Sequence, residues 1–322
     1  MAQQQTPERE SLEHLAASYI LELRRARRWG IFFRVVTLLI LVFLILVILG
    51  WIGRAGTRGI GEHTALVQLN GEISADSPAS ADRIIKALDN AFEDPNSKGV
   101  ILRINSPGGS PVQAGEINDE MWRLRKKYPK KPLYVVVDDM CASGGYYVAV
   151  AADKIFVNKA SLVGSIGVLM DGFGFTGIMK KVGVERRLLT AGSHKGFLDP
   201  FSPMKPDEKA YAEKMLEQVH QQFIQAVRKG RGTRLHETPE MFSGLVWSGA
   251  SAVKLGLADG FGSVDSVARN VIGAPSIVDY TQQQGLVERI ADRIGTSFGQ
   301  SFGTQFIKSW ISPLTQSSMH FN

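Results

Sequence analysis

The sequence predicts an α/β fold on a mainly parallel sheet, preceded by one membrane-spanning helix. Three observations carry that prediction. Short β-branched runs alternate with longer stretches of helical periodicity, the pattern of strands joined by crossover helices. An uncharged apolar run near the N-terminus is too long for a strand or a signal-peptide core. The composition, 44% hydrophobic and 21% charged, is that of a folded chain rather than a disordered one.

Length and composition bound the rest. At 322 residues the chain has room for about two folding units of ~150 residues. Its 33 glycines and 13 prolines follow no Gly-X-Y period, which excludes a collagen-like rod. The single cysteine, Cys141, excludes an internal disulfide framework and a thiolate-built zinc site. A net charge of +6 is too small at this length to argue for a nucleic-acid partner.

The apolar run comes first along the chain. Residues 35–52 (VVTLLILVFLILVILGWI) hold no charge, and Ile31, Phe32 and Phe33 extend the run across Arg34. At ~1.5 Å per residue, a helix over 31–52 reaches about 33 Å, enough for a hydrocarbon layer of ~30 Å. Arg34 sits near one end, where its side chain can snorkel to the headgroups. A cleaved signal peptide is the competing reading, but its apolar core normally spans about 7–15 residues and ends in a small-x-small site. Here Gly50-Trp51-Ile52-Gly53-Arg54 follows. Arg24, Arg25, Arg27, Arg28 and Arg34 outnumber Arg54 and Arg58, so the positive-inside rule keeps residues 1–30 in the cytoplasm. Everything after about residue 53 then crosses a bacterial inner membrane to its periplasmic or outer side.

Residues 53–63 (GRAGTRGIGEH) are Gly-rich and polar and read as a linker. Strands are expected at Thr64–Leu69, Gly99–Ile104, Leu133–Val137, Lys154–Val157, Gly164–Leu169 and over VERRLLT (184–190). Helices are expected at Ala81–Phe92, Gly115–Lys127, Gly144–Ala152 and Asp207–Lys229. Residues 64–275 thus form one domain, large enough to bury a core. Residues 276–322, rich in Gln, Ser and Gly, read as a tail that is either solvated or docked on a neighbour, with one short amphipathic helix at Leu286–Ile294.

Three stretches are candidates for chemistry. Asn105-Ser106-Pro107-Gly108-Gly109 follows a strand and precedes a helix, and its paired glycines can present bare N–H groups to an oxyanion. Taken alone it reads first as a plain strand-to-helix turn. Cys141-Ala142-Ser143-Gly144-Gly145 puts a serine at the junction of a strand and a small-residue helix, where unpaired N–H groups favour negative charge. Taken alone Ser143 reads as an ordinary N-cap, and Cys141 replaces the first glycine of a G-x-S-x-G elbow. Thr190-Ala191-Gly192-Ser193-His194-Lys195-Gly196 places a lysine in a glycine-flanked loop, by default an exposed one. His194 is a tempting base, but no acidic residue accompanies it in a recognisable motif.

The combination is more specific than its parts. N-S-P-G-G, A-S-G-G-Y-Y, G-S-I-G-V and G-x-x-K, in that order, resemble the signal peptide peptidase A family in its short bacterial form. The resemblance covers about residues 64–272 and includes Trp247-Ser248-Gly249-Ala250 and Leu255-Gly256-Leu257-Ala258-Asp259. Two positions depart from the family pattern: Cys141 where alanine is common, and Val163 where threonine is usual. The resemblance implies a ClpP/crotonase-like layered fold and a Ser-Lys membrane protease acting on remnant signal peptides and other hydrophobic polypeptides. It implies Ser143 as nucleophile, Lys195 as general base, Ser165 as the hydroxyl that holds the lysine amine, and Gly109 and Gly144 as the oxyanion-hole N–H donors. It also implies a homo-oligomer, in the family's manner an octamer. No metal, nucleotide or haem motif stands in the sequence, so a cofactor-free enzyme is expected.

The chemistry sets a condition on that assignment. A serine hydroxyl attacks only as something removes its proton, and a free lysine, with a pKa near 10.4, is almost wholly protonated at pH 7. Burial disfavours the ammonium, so Lys195 is expected to be buried, its amine within hydrogen-bond reach of Ser143, in the intact assembly. Two rivals remain: a crotonase-type acyl-thioester enzyme, for which no CoA signature is visible, and an inactive membrane scaffold of the same fold. The basic stretch Arg123–Lys131 (RLRKKYPKK) reads as a solvated helix end. It lacks the stacking aromatics of a nucleic-acid site apart from Tyr128, and anionic lipid headgroups are the other partner its charge suits.

Overall fold

The computed structural model describes residues 27–45 and 61–282. They fall into two units divided between Ile60 and Gly61. The first holds helix α1, Arg27–Ile45, long and apolar enough to cross a membrane. Its Ile, Leu and Phe side chains, and the valines apart from Val36, are exposed. Residues 46–52 of the expected span, most of the linker and the expected helix Leu286–Ile294 lie outside the described residues.

The second unit is an α/β domain. Its sheet comprises β1 (His63–Asn70), β2 (Ser97–Ser106), β3 (Leu133–Ala142), β4 (Lys154–Val157), β5 (Leu162–Gly164), β6 (Val246–Ser248), β7 (Gly260–Phe261) and β8 (Ile277–Asp279). Its helices are α2 (Ala81–Glu93), α3 (Pro111–Lys127), α4 (Gly144–Ala149), α5 (Thr176–Val182), α6 (Pro206–Arg231), α7 (Gly249–Lys254) and α8 (Val264–Val267). The main path runs β6-β5-β3-β2-β1-β8, with β4 on β3 and β7 on β4. Every pairing is parallel except β5 with β6.

Parallel strands are buried on both faces, and β2 shows it. Val100, Leu102 and Ile104 point into the larger core under the helices, whereas Ile101 joins Val136, Val267 and Ala268 on the opposite face. Between Ile104 and Ser106 of β2 the register with β3 jumps, from Ile104↔Val137 to Ser106↔Cys141. Three residues of β3, 138–140, stand opposite the single Asn105 of β2, an excess of two. The bulge re-aims the last residues of β3 toward β5, and so sets the direction in which the chain leaves at Ser143.

Three expectations need correction. The stretch 184–190 is not a strand: none of the described residues pairs with it, and a strand cannot stand without a ladder. The expected strand Gly164–Leu169 shares only Gly164 with β5, because Ser165 leaves the ladder with a positive φ of 51°. Residues 277–279, expected in the tail, form β8 on β1. There the Tyr280 hydroxyl donates to Asp94 Oδ2 at 2.5 Å and lies 3.0 Å from His63 Nε2, closing the sheet's far edge.

Candidate active site

The C-terminal ends of β2, β3 and β5 bring together two of the three candidate stretches, 105–109 and 141–145, and the turn at Gly164-Ser165. β3 ends at Ala142 and β5 at Gly164, and these two residues are register partners. Each is followed by a serine in the left-handed region, Ser143 at φ 50° and Ser165 at φ 51°. Ser143 N–H donates to the Gly164 carbonyl at 2.8 Å, which locks the two turns side by side.

Ser143 is not an ordinary N-cap. A capping serine has extended torsions and accepts a hydrogen bond from the following turn. Ser143 has φ 50° and ψ −124°, and its side chain makes no capping bond. The geometry is a strained strand-to-helix elbow that leaves the hydroxyl uncommitted among the described residues. It forms without the usual first glycine because Cys141, in that place, is a buried strand residue opposite Val163. Burial pushes the Cys141 thiol well above its ordinary pKa, so it is an inert packing group.

The paired glycines lie against this elbow. Gly108 and Gly109 have φ of 108° and 140°. A Cβ on Gly108 would stand 2.7 Å from the Ser143 Cβ and 2.8 Å from the Gly144 nitrogen. A Cβ on Gly144 would stand 3.3 Å from the Gly109 nitrogen. Both N–H groups thus adjoin Ser143, and among the described residues neither donates to a protein acceptor. Two fixed, unused donors beside an uncommitted hydroxyl can stabilise the negative charge of an acyl-transfer intermediate.

The loop is held from below by a residue the sequence reading passed over. Ser106 is fully buried, and its Oγ accepts the Gly108 N–H at 3.1 Å. The Gly108 carbonyl accepts from Ile73 N–H at 2.8 Å, and the Ile73 carbonyl accepts from Ser110 N–H at 2.8 Å. Its position directly before Pro-Gly-Gly was the available signal. On the other side His220 of α6 places Nε2 3.1 Å from the Ile166 carbonyl, and Trp247 packs beside Gly164 with its buried indole N–H unpartnered among the described residues.

Lys195 is not part of this cluster within one chain. Its side chain is exposed, and no hydrogen bond joins it to Ser143. The physical reason is the segment it belongs to: no residue from 167 to 207 is buried. That segment nevertheless carries Leu189 at 96% exposure, Leu169 and Phe173 at 80% and Val182 at 67%. With α6 it encloses an open cavity of about 1310 Å³ lined by Phe173, Phe175, Leu188 and Leu198. His194, thought to lack an acidic companion, has Nδ1 3.9 Å from Glu208 of α6. The buried Glu208 carboxylate also accepts from Lys205 Nζ at 3.0 Å and Leu198 N–H at 3.4 Å, so it organises the Lys195 loop. The 13 residues between His194 and Glu208 hid that contact from any local motif.

Comparison with known proteins places this architecture. The model of peptidase family S49 matches residues 125–272. Candidate protease MJ0651 of Methanocaldococcus jannaschii is 34% identical over 235 residues, 68% of this chain and 75% of that protein. Candidate signal peptide peptidase SppA of Enterococcus faecium is 31% identical over 189 residues, 59% of this chain and 54% of that protein. The Na(+)/H(+) antiporter NhaA of Brucella abortus is 39% identical over 238 residues, 72% of this chain. The match spans only 32% of that antiporter's length, and its name is that of the whole protein. The match to MJ0651 runs over two thirds or more of both chains at 34% identity, and on this ground the chain belongs to peptidase family S49.

Proposed function

We propose that the chain is a membrane-anchored serine endopeptidase in which Ser143 is the nucleophile and Lys195 the general base. The observation that carries the reading is the strained elbow at Ser143 with the unused Gly109 and Gly144 N–H groups beside it. Ser143 Oγ attacks the scissile carbonyl carbon as its proton passes to the Lys195 amine. The carbonyl oxygen becomes an oxyanion held by the two N–H groups. Collapse breaks the C–N bond, Lys195 returns the proton to the leaving amine, and water then hydrolyses the acyl-enzyme. Ser165, on the turn locked to Ser143, orients the lysine amine.

Because one chain leaves Lys195 exposed, the pair forms in a homo-oligomer, with an octamer the form the family resemblance implies. The support is the apolar segment 167–207: a run of large exposed side chains without a buried residue needs a covering surface. A covered segment also supplies the dry setting in which an amine can act as a base. On the reading that the apolar helix spans a membrane with its arginine-rich end in the cytoplasm, the domain lies on the periplasmic side and its substrates are remnant signal peptides and other extended hydrophobic polypeptides.

The test uses the full chain in detergent with a fluorogenic apolar peptide. Ser143→Ala and Lys195→Ala each abolish turnover, and subunits of the two variants mixed during assembly regain part of it. Full activity in Lys195→Ala would overturn the dyad; loss in both variants with no recovery on mixing would place both groups in one chain.

A further inference from the structure

We propose that the edge of the sheet opposite the candidate active site docks on an anionic bilayer surface through a lysine-rimmed cleft. The inference rests on the reading that α1 anchors the chain. A parallel sheet has two unlike edges. Ser143, Gly108-Gly109 and Ser165 follow the C-terminal ends of β3, β2 and β5. At the N-terminal edge, His63 of β1 pairs with Ser97 of β2, and Val100 of β2 pairs with Leu133 of β3. The domain's first strand therefore begins beside the first residues of β2 and on the same side as the start of β3.

Lysines distant in sequence meet there. Lys98 opens β2, and Lys127, Lys130 and Lys131 come from the end of α3 and the turn into β3. With Tyr128 and Pro129 they line a cleft of about 460 Å³. The tyrosine ring is its floor: Lys127 Nζ stands 5.0 Å and Lys131 Nζ 5.9 Å from the ring centroid. Two of these cations are partly committed. Lys131 donates to the Phe92 and Asp94 carbonyls at 2.8 and 2.7 Å, closing the end of α2, and Lys98 pairs with Glu62. Lys127 and Lys130 are exposed and make no ion pair among the described residues.

A basic helix end alone is explained by the helix dipole and solvent. The structure adds a strand lysine on the same rim, a concave shape with an amphipathic ring at its base, and a covalent tether. Between Ile45 of α1 and His63 of β1 the chain can span at most about 60 Å at ~3.3 Å per residue, so a bilayer that holds α1 is presented to the domain at high effective concentration. Juxtamembrane lysines facing anionic headgroups raise surface partitioning by roughly five-fold each, and the effect falls off within a Debye length of ~8 Å. Docking by this edge turns the Ser143 edge away from the membrane. Substrate then reaches Ser143 from the side facing the aqueous phase.

The experiment uses the full chain in nanodiscs of phosphatidylcholine with or without phosphatidylglycerol. Cys141 is buried, so a dye on Pro129→Cys reports this site alone. A headgroup-attached quencher is expected to quench the dye in the phosphatidylglycerol discs, at least five-fold less in 0.5 M salt, and at least five-fold less in Lys98→Gln/Lys127→Gln/Lys130→Gln. Hydrogen exchange over residues 97–100 and 127–132 of the wild-type chain gives the same comparison without a label. Equal quenching in both lipids, or quenching unmoved by the triple change, overturns the proposal. So does a triple change that alters oligomer size but not quenching, which would assign the face to another copy of the chain. Failure of the chain to incorporate overturns the anchor reading and this proposal with it. Incorporation without lipid-dependent quenching overturns only the docking, and peptidase turnover in detergent, expected unchanged in the triple variant, keeps both apart from the dyad.

Discussion

Gly108 lies so close against Ser143 that a methyl group added to it would stand 2.7 Å from the Ser143 Cβ. No side chain fits that gap, and Gly108 also holds a φ of 108° that L residues avoid. Gly108→Ala must push the loop from the elbow and carry the Gly109 N–H with it. Loss of one aligned oxyanion donor typically costs about 3–4 kcal/mol in the transition state. Peptide turnover is therefore expected to fall by roughly 10²–10³ with the circular-dichroism spectrum intact. A variant within about three-fold of wild type would remove the Gly109 N–H from the mechanism.

Ser106 sets the same loop through one hydrogen bond to the Gly108 N–H. Ser106→Ala leaves that donor buried without its acceptor, at a cost of about 1–3 kcal/mol. The expected outcome is a drop in melting temperature of several degrees together with a kcat about ten-fold lower and KM nearly unchanged. Ser106→Thr, which restores an acceptor, is expected to recover part of kcat. A loss expressed only in KM would contradict the positioning role.

Leu189 is the most exposed of the large apolar side chains in the Lys195 segment, at 96%. If another copy covers it, Leu189→Asp buries a charge in that contact, and buried unpaired charges are not tolerated. Light scattering in detergent should then show smaller particles, with turnover reduced at least ten-fold although Ser143 is untouched. Unchanged size and rate would mean that the segment meets no other subunit.

Asp259 holds the far end of α6 in place. Its carboxylate accepts from Arg231, 1% exposed, at 2.8 Å, from Arg234 at 3.0 Å and from Ile155 N–H at 2.7 Å. Burial alone would raise its pKa, but the Arg231 hydrogen bond and charge outweigh it and hold the carboxyl below its ordinary range. A depressed carboxyl stabilises the fold fully above the unfolded value of about 3.9 and loses that contribution as pH falls through the folded value. Asp259→Asn strands Arg231 in the core and should cost about 3–5 kcal/mol at pH 7. In melting curves taken from pH 7 to pH 3, the gap between wild type and variant is expected to narrow toward acid. A constant gap would show that the charge of Asp259 is not what stabilises the domain.

Much of this molecule is local and was therefore readable before folding. The β-branched runs opening β1, β2, β3 and β4 and the apolar periods of α2, α3 and α6 follow from side-chain alternation and helical spacing. The glycines at 108, 109 and 144 mark their turns for steric reasons confined to a few residues. What lay beyond reach depended on a neighbour distant along the chain. Residues 184–190 have the composition of a strand and no partner, whereas 277–279 have an unremarkable one and an open edge on β1. Glu208 meets His194 only because α6 folds back under the Lys195 loop.

Sequence by itself determined the alternation of strands and helices and the apolar helix, because propensity and periodicity belong to the residues. Tertiary structure alone decided that Ser143 and Ser165 leave adjacent strands as twin strained turns, that the Gly109 nitrogen packs against Gly144 beside Ser143, and that Lys195 stays outside in a single chain. Those are relations among distant segments, set by strand register and by which surfaces are left to cover one another.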